Sequence, residues 1–298
     1  MHERDWLAGQ FEENRGHLRG VAYRMLGSLS DADDAVQESW LRLSRNGAAG
    51  IDNLGGWLTT VVAHVCLDML RSRQAKREEP LESPVGAEPP ARPHAKTNPE
   101  NEAVLADSVG LALLVVLDRL DPAERLAFVL HDLFDLPFEE IAGILGRSEA
   151  AARQLASRAR RRVRGADTTA PDRIGRQRRV VDAFLAALRG GDLPGLVTLL
   201  DPDFTVHADA ASAPGLPLGA RGPEAWAKQA LQTARGAVYA RPALVDGDVG
   251  IVIAPRGKLF RVLRLTITGD RIASMEVIGD PERLRRLDLA VLGDPAPR

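Results

Sequence analysis

Two clusters in this 298-residue sequence carry side chains able to do chemistry. The first is GRSEAAARQLASRARRRVRG, residues 146–165, with seven arginines in twenty residues. Guanidinium groups fork onto phosphates and onto guanine edges, and a glutamine amide matches adenine. The second is TVHAD, residues 205–209. If it is a strand, its period of two puts His207 and Asp209 on one side. Such a pair can serve as general base and acid, and Tyr239 on a later segment completes a candidate pocket. The wider sequence argues against catalysis. The six histidines are scattered and Cys66 is the single cysteine, so no metal-ligand spacing exists. There is no P-loop, no GxSxG elbow and no dinucleotide fingerprint. We therefore expect no catalytic residues, no metal and no cofactor, and read the His/Asp pair as part of a packing domain or of a regulatory ligand pocket.

The elements around the arginines follow from periodicity. With Gly146 and Arg147 in a turn and Ser148 as N-cap, 100° per residue puts Ala152, Leu155, Ala156, Ala159 and Val163 on one face. That face can pack on a preceding helix through Ile141, Ile144 and Leu145. The opposite face carries Arg153, Gln154, Ser157, Arg161 and Arg164, with Arg158 beside them. A helix, a short turn with glycine, then a helix with an outward basic face is the helix-turn-helix pattern. The net charge of -2 conceals this segregation. From Arg147 to Arg179 eleven arginines face three acids, Glu149, Asp167 and Asp172, a formal +8. Residues 28–40 hold Asp31, Asp33, Asp34 and Glu38 with no base. Opposite charges on separate segments suit two partners, one of them a polyanion.

Residues 1–78 read as helices, with Ser30 as the expected N-cap of the acidic one. Residues 79–101 hold six prolines and read as a linker. Residues 102–167 are helical again, and 168–175 read as a second linker. From 176 to 298, helices precede β-like runs separated by Asp-Gly, Arg-Gly and Gly-Asp turns, the pattern of an α+β domain with an antiparallel sheet. In Asp280–Leu292, Asp280 and Pro281 suit a helix start, and Leu284, Leu287, Val291 and Leu292 a helical stripe. One cysteine excludes an internal disulfide. The charged first residues lack a signal-peptide core, and no apolar run is long enough to span a membrane. No membrane insertion is expected.

Three segments, in order, resemble the bacterial extracytoplasmic-function sigma factors. AYRMLGSLSDADDAVQESWLRL resembles their second conserved region, GGWLTTVVAHVCLDMLRSRQAKRE the helix that engages the -10 element, and residues 117–164 the fourth region, which reads the -35 element. The block 176–298 resembles the SnoaL-like cone that some of these factors carry at the C-terminus. The fold implied is two all-α sigma domains, the second with a helix-turn-helix, followed by an α+β cone. The implied partners are core RNA polymerase, through the clamp of its largest subunit and the flap of its second-largest, and promoter DNA. A small ligand or regulatory protein at the C-terminal domain is a further partner the resemblance allows. Asp34, Gln37, Glu38 and Leu41 form the expected polymerase-binding face, where a leucine amid acids suits a protein contact. For the -10 side the candidates are Asn46, Asn53, Trp57, His64, Arg71, Arg73 and Lys76. For the -35 side they are Ser148, Arg153, Gln154, Ser157, Arg158, Arg161 and Arg164. The expected function is promoter recognition in the cytoplasm, governed in cis by the C-terminal domain. A SnoaL-like small-molecule enzyme or ligand sensor with a DNA-binding leader is the alternative; it leaves the first two blocks unexplained.

Overall fold

The computed structural model describes residues 2–48, 50–78, 110–165, 171–212 and 222–292. The linker 79–101 lies outside them. The chain divides into two compact units, residues 1–109 with 117–160, and residues 110–116 with 161–298.

The first unit is helical. Helices α1 (His2–Leu26), α2 (Leu29–Asn46) and α3 (Leu54–Glu78) pack through Phe11, Leu18, Met25, Leu43, Leu58 and Leu67, all nearly or fully buried. The cap of α2 is Ser28, whose hydroxyl accepts from the Asp31 amide at 3.4 Å. It lies two residues before the serine expected, and Ser30 is already inside the helix. After α4 (Leu111–Leu117), of which all but the last residue falls in the second unit, α5 (Pro122–Phe128) starts with Pro122 in its first turn. It runs into a π-helical turn, Val129–Leu133. Helix α6 (Phe138–Leu145) stops at Gly146, whose φ of 62° is a left-handed value that glycine adopts without strain. Arg147 N–H then bonds the Ala142 carbonyl at 3.0 Å, which closes the turn before α7 (Glu149–Arg164).

Within this unit α5 packs on α3 and reaches the end of α1. Arg125, only 2% exposed, donates from Nε and Nη2 to the carbonyl of Arg24 at 3.2 and 3.1 Å. That carbonyl is in the last turn of α1, where helix acceptors lack an intrahelical donor. Arg125 Nη1 lies 3.4 Å from Asp118. Burial pushes the guanidinium pKa down to about 10, against the pull of Asp118. Phe134 adds a T-shaped contact with His17, centroids 5.2 Å apart, and a cation–π contact with Arg24 at 5.1 Å.

In the second unit α8 (Pro171–Gly190), α9 (Leu193–Leu199) and α10 (Pro223–Thr233) cover one face of a six-stranded sheet. Helix α8 begins inside the stretch read as the second linker. The strands are β1 (Leu200–Ala208), β2 (Ala240–Val245), β3 (Asp248–Ile253), β4 (Arg261–Thr268), β5 (Arg271–Ile278) and β6 (Leu289–Ala290), in the order β1-β5-β4-β3-β2-β6. All pairings are antiparallel except β1 with β5. Trp226 lies against Phe204 and Phe184 in the core, centroids 5.1 and 6.3 Å away. Asp280 caps α11 (Pro281–Arg286) through the Arg283 amide at 2.8 Å. The helical stripe expected to reach Leu292 ends there. The chain turns extended at Leu287, and β6 adds to the edge of β2. Leu284 is buried from α11, and Leu287 and Leu292 are buried on either side of β6.

Candidate nucleic-acid interface

Helix α7 presents the face its periodicity predicts. Ala152, Leu155, Ala156, Ala159 and Val163 are buried, whereas Arg153, Gln154, Ser157, Arg158, Arg161 and Arg164 are exposed. Ser148 caps the helix, its hydroxyl accepting from the Ala151 amide at 3.3 Å. Arg153 forms an ion pair with Glu149 one turn back and stacks over Phe138, 5.5 Å from the ring centre. Phe138 in turn lies against His131, centroids 3.9 Å apart. This π surface, absent from the sequence argument, holds the first outward arginine at the helix N-terminus. Arg160 leaves the basic face: it pairs with Asp132 at 2.5 Å and so fixes α7 to the π turn.

On α2, Asp34, Gln37 and Leu41 are exposed, Leu41 at 37%, and Glu38 is half-exposed and paired with Arg42 at 3.1 Å. Ala32, Ala35, Val36, Ser39 and Leu43 form the buried face, and Trp40 lies on Phe11 at 5.2 Å. The acids therefore do not act alike. Asp33 is bound to Arg19 at 2.7 Å and Asp31 to Arg73 at 2.7 Å, while Asp34, Gln37 and Leu41 are exposed beside the Glu38–Arg42 pair.

The -10 candidates separate. Arg71 and Lys76 are exposed on the last turns of α3. Arg73, half-exposed, pairs with Asp31 and approaches the Leu26 carbonyl at 3.5 Å, so it also braces the elbow between α1 and α2. Asn53 is likewise a cap, its Oδ1 accepting from the Gly56 amide at 3.0 Å. His64 Nδ1 lies 3.0 Å from the Thr60 carbonyl, a local helix contact, with the ring half-buried. Trp57 is half-buried in the first turn of α3. Asn46 ends α2, and its side chain lies outside the described residues.

The candidate pocket is not assembled. His207 pairs in register with Glu276 on the exposed face of β1, opposite the face that carries Phe204. Tyr239 precedes β2, and β5, β4 and β3 lie between that strand and β1. Along the sheet this is four strand spacings, about 19 Å. Asp209 is a structural anchor. Its Oδ1 accepts from the Ser212 amide and its Oδ2 from the amides of Gly279 and Asp280, each at 2.9 Å. Partial burial works against its charge, yet these hydrogen bonds hold the carboxyl below the usual range. Among the described residues no group of His, Cys, Asp and Glu could hold a metal ion.

A helical module with an acidic, leucine-bearing face and a second with a basic helix-turn-helix define the two-part architecture of a sigma factor. Residues 10–76 match the family Sigma-70 region 2, and residues 110–163 match Sigma-70, region 4. The chain is 38% identical over 292 residues to the ECF RNA polymerase sigma factor SigJ of Mycobacterium tuberculosis, with 92% of each covered. It is 33% identical over 288 residues to that species' probable ECF RNA polymerase sigma factor SigI, covering 95% of this chain and 97% of SigI. The crystal structure of SigJ aligns with 93% of this chain and 98% of its own, at 32% identity and a TM-score of 0.44. The chain belongs to the ECF RNA polymerase sigma factors. It is a transcription initiation factor whose partners are core RNA polymerase and promoter DNA.

Proposed function

We propose that α7 reads the -35 element, that the Asp34, Gln37, Glu38 and Leu41 face docks on the polymerase clamp, and that the C-terminal domain governs output in cis. The observation that carries the reading is the sorting of α7, with an apolar face inward and six candidate contact residues outward. Arg153 and Gln154 are near the helix N-terminus, where base edges are met, and Arg161 and Arg164 near its end suit phosphates. Arg71 and Lys76 supply the phosphate contacts on the -10 side. No described helix is long and apolar enough to cross a membrane, and the protein acts where polymerase is, in the cytoplasm. Run-off transcription with core polymerase tests the assignment. Arg153→Ala is expected to cost about 1–3 kcal/mol at one promoter position, and Leu41→Glu to abolish core binding while the protein stays folded. Equal loss on random and promoter DNA for Arg153→Ala, or unchanged core affinity for Leu41→Glu, refutes the respective role.

Support for control in cis comes from the end of α7. The Val163 carbonyl accepts from the Val291 amide at 2.8 Å, so the strand after α11 caps the recognition helix. Gly165, at φ 76°, passes so close that a Cβ there would sit 2.9 Å from the Ala290 Cβ. Val291→Pro removes the donor. A hydrogen bond worth about 0.5–1.5 kcal/mol predicts a rise of about two- to tenfold in multi-round output if the tail restrains α7. Output equal to wild type in a folded variant means that the tail only seals its own domain.

A further inference from the structure

The arginine run does not stop with α7. Arg173, Arg176, Arg178 and Arg179 follow on α8, in the domain that the promoter-reading assignment leaves without a nucleic-acid role. Their fates differ. Arg173 pairs with Asp248, and Arg178 lies 3.6 Å from Asp182. Arg176 and Arg179 are exposed, three residues apart, and therefore adjacent on the helix surface. The opposite face of α8 is committed to the core through Val180, Val181 and Phe184.

Helix α8 is also held in place. Gln177 donates from Nε2 to Asp248 at 3.0 Å and accepts from the Val249 amide on Oε1 at 3.1 Å. Asp248 pairs in register with Val245 on β2, and Val245 with Leu289 on β6. Two residues further on, Val291 binds Val163 in the last turn of α7. The start of α8 and the end of α7 are thus fastened to one end of the same sheet, two strand spacings or about 10 Å apart at their attachment points. Exposed Arg161 and Arg164 belong to this platform as well. The carboxylates at this end are Asp246, Asp248, Asp288 and Asp172. Asp248 is occupied by Arg173 and Asp246 lies 3.7 Å from Arg264, which sets Asp172 and Asp288 against the exposed Arg161, Arg164, Arg176 and Arg179.

We infer that Arg176 and Arg179 of the C-terminal domain bind the phosphate backbone of duplex DNA, continuing the track that Arg161 and Arg164 begin. The inference rests on the reading of α7 as the DNA-contacting helix and extends it to a domain outside both matched sigma regions. Chemistry favours a phosphate backbone over an acidic protein surface. Arg176 and Arg179 are both exposed with only Gln177 and Arg178 between them in the helix, and α8 is fastened about two strand spacings from the end of a helix that offers phosphate contacts. Such contacts are blind to sequence, so the domain adds affinity and sets how sharply binding responds to salt.

The test uses the full chain and a labelled random-sequence 30-bp duplex, followed by anisotropy between about 50 and 200 mM salt. Each phosphate contact contributes about -0.9 to the slope of log K against log salt. Arg176→Gln with Arg179→Gln is expected to flatten the slope by about 2 and to weaken binding at 100 mM roughly tenfold or more, with an unchanged melting curve. Arg161→Gln is the control for α7 and should flatten it by about 1. If Arg161→Gln acts and the double variant does not, the inference fails and the reading of α7 stands. If neither acts, both fail. A double variant that lowers affinity for core polymerase while leaving the DNA salt slope intact assigns the surface to a protein partner and also overturns the inference.

Discussion

Replacing Arg125 by alanine should open the first unit. Under the proposed function the two sigma modules it holds together separate on the promoter. A unit of about 150 residues has a radius of gyration of about 15 Å, so it is on the order of 40 Å across. The -35 and -10 elements are named for positions about 25 bp apart, roughly 85 Å at 3.4 Å per step. No arrangement in which Arg125 is within 3.2 Å of the Arg24 carbonyl spans that distance. The magnitude follows from opposing contributions. Depressing the guanidinium from 12.5 to about 10 corresponds to a penalty of about 3 kcal/mol on the buried charge. Two charge-assisted hydrogen bonds to Arg24, each worth about 1.5–3 kcal/mol, offset it. Alanine relieves the penalty, loses both bonds and leaves a cavity, while Asp118, half-exposed, stays solvated. The net effect is about 1–3 kcal/mol toward the separated modules, a shift of 5- to 150-fold in the equilibrium. Small-angle scattering on Arg125→Ala should show a larger radius of gyration, and titration with core polymerase a faster, tighter association. An unchanged radius together with unchanged association, in a protein that melts like wild type, would refute the reasoning and make Arg125 an ordinary core residue.

Three further outcomes can be measured. Burial holds the His17 pKa below 6.5 at the seam with Phe134, so neutral His17 contributes stability that is present above 6.5 and is lost as pH falls through its depressed folded value; scattering and melting should show loosening on acidification, reduced in His17→Gln. Asp209→Ala removes the acceptor of three main-chain amides and should lower stability of the C-terminal unit by about 2–4 kcal/mol, read by melting, with core polymerase affinity unchanged. Burial pushes the Cys66 thiol up to about 12, so a thiol reagent at neutral pH should label the native protein only as fast as it unfolds; rapid stoichiometric labelling would contradict the packing of α3.

What could be read from the sequence was whatever depends on neighbours in the chain. The 3.6-residue period of 149–164 sorted α7 correctly, and the same period placed Leu41 outward among acids, because a helix fixes those faces without reference to anything distant. Local chemistry also located the Asp280 cap and the Gly146 turn. Where a residue answers to a distant partner, the local argument failed. His207 and Asp209 have the spacing of a pair, but Asp209 is claimed by amides seventy residues on, at Gly279 and Asp280. The stripe from Leu284 to Leu292 has helical spacing, but the free edge of β2 draws the chain into extended structure after Arg286. Arg73 counts as one more base in the sequence, and its pairing with Asp31, 42 positions away, is visible only in the fold. Arg125 is the extreme case. Its acceptor is Arg24, 101 positions away, and nothing beside it in the sequence indicates a buried charge. This blind spot has a functional cause. A seam of leucines would be legible as an apolar stripe, but it would hold the modules together permanently. A guanidinium on a helix-end carbonyl has water to return to on both sides, so the contact can release and re-form. A joint that has to open is built from polar groups with non-local partners, which periodicity cannot reveal.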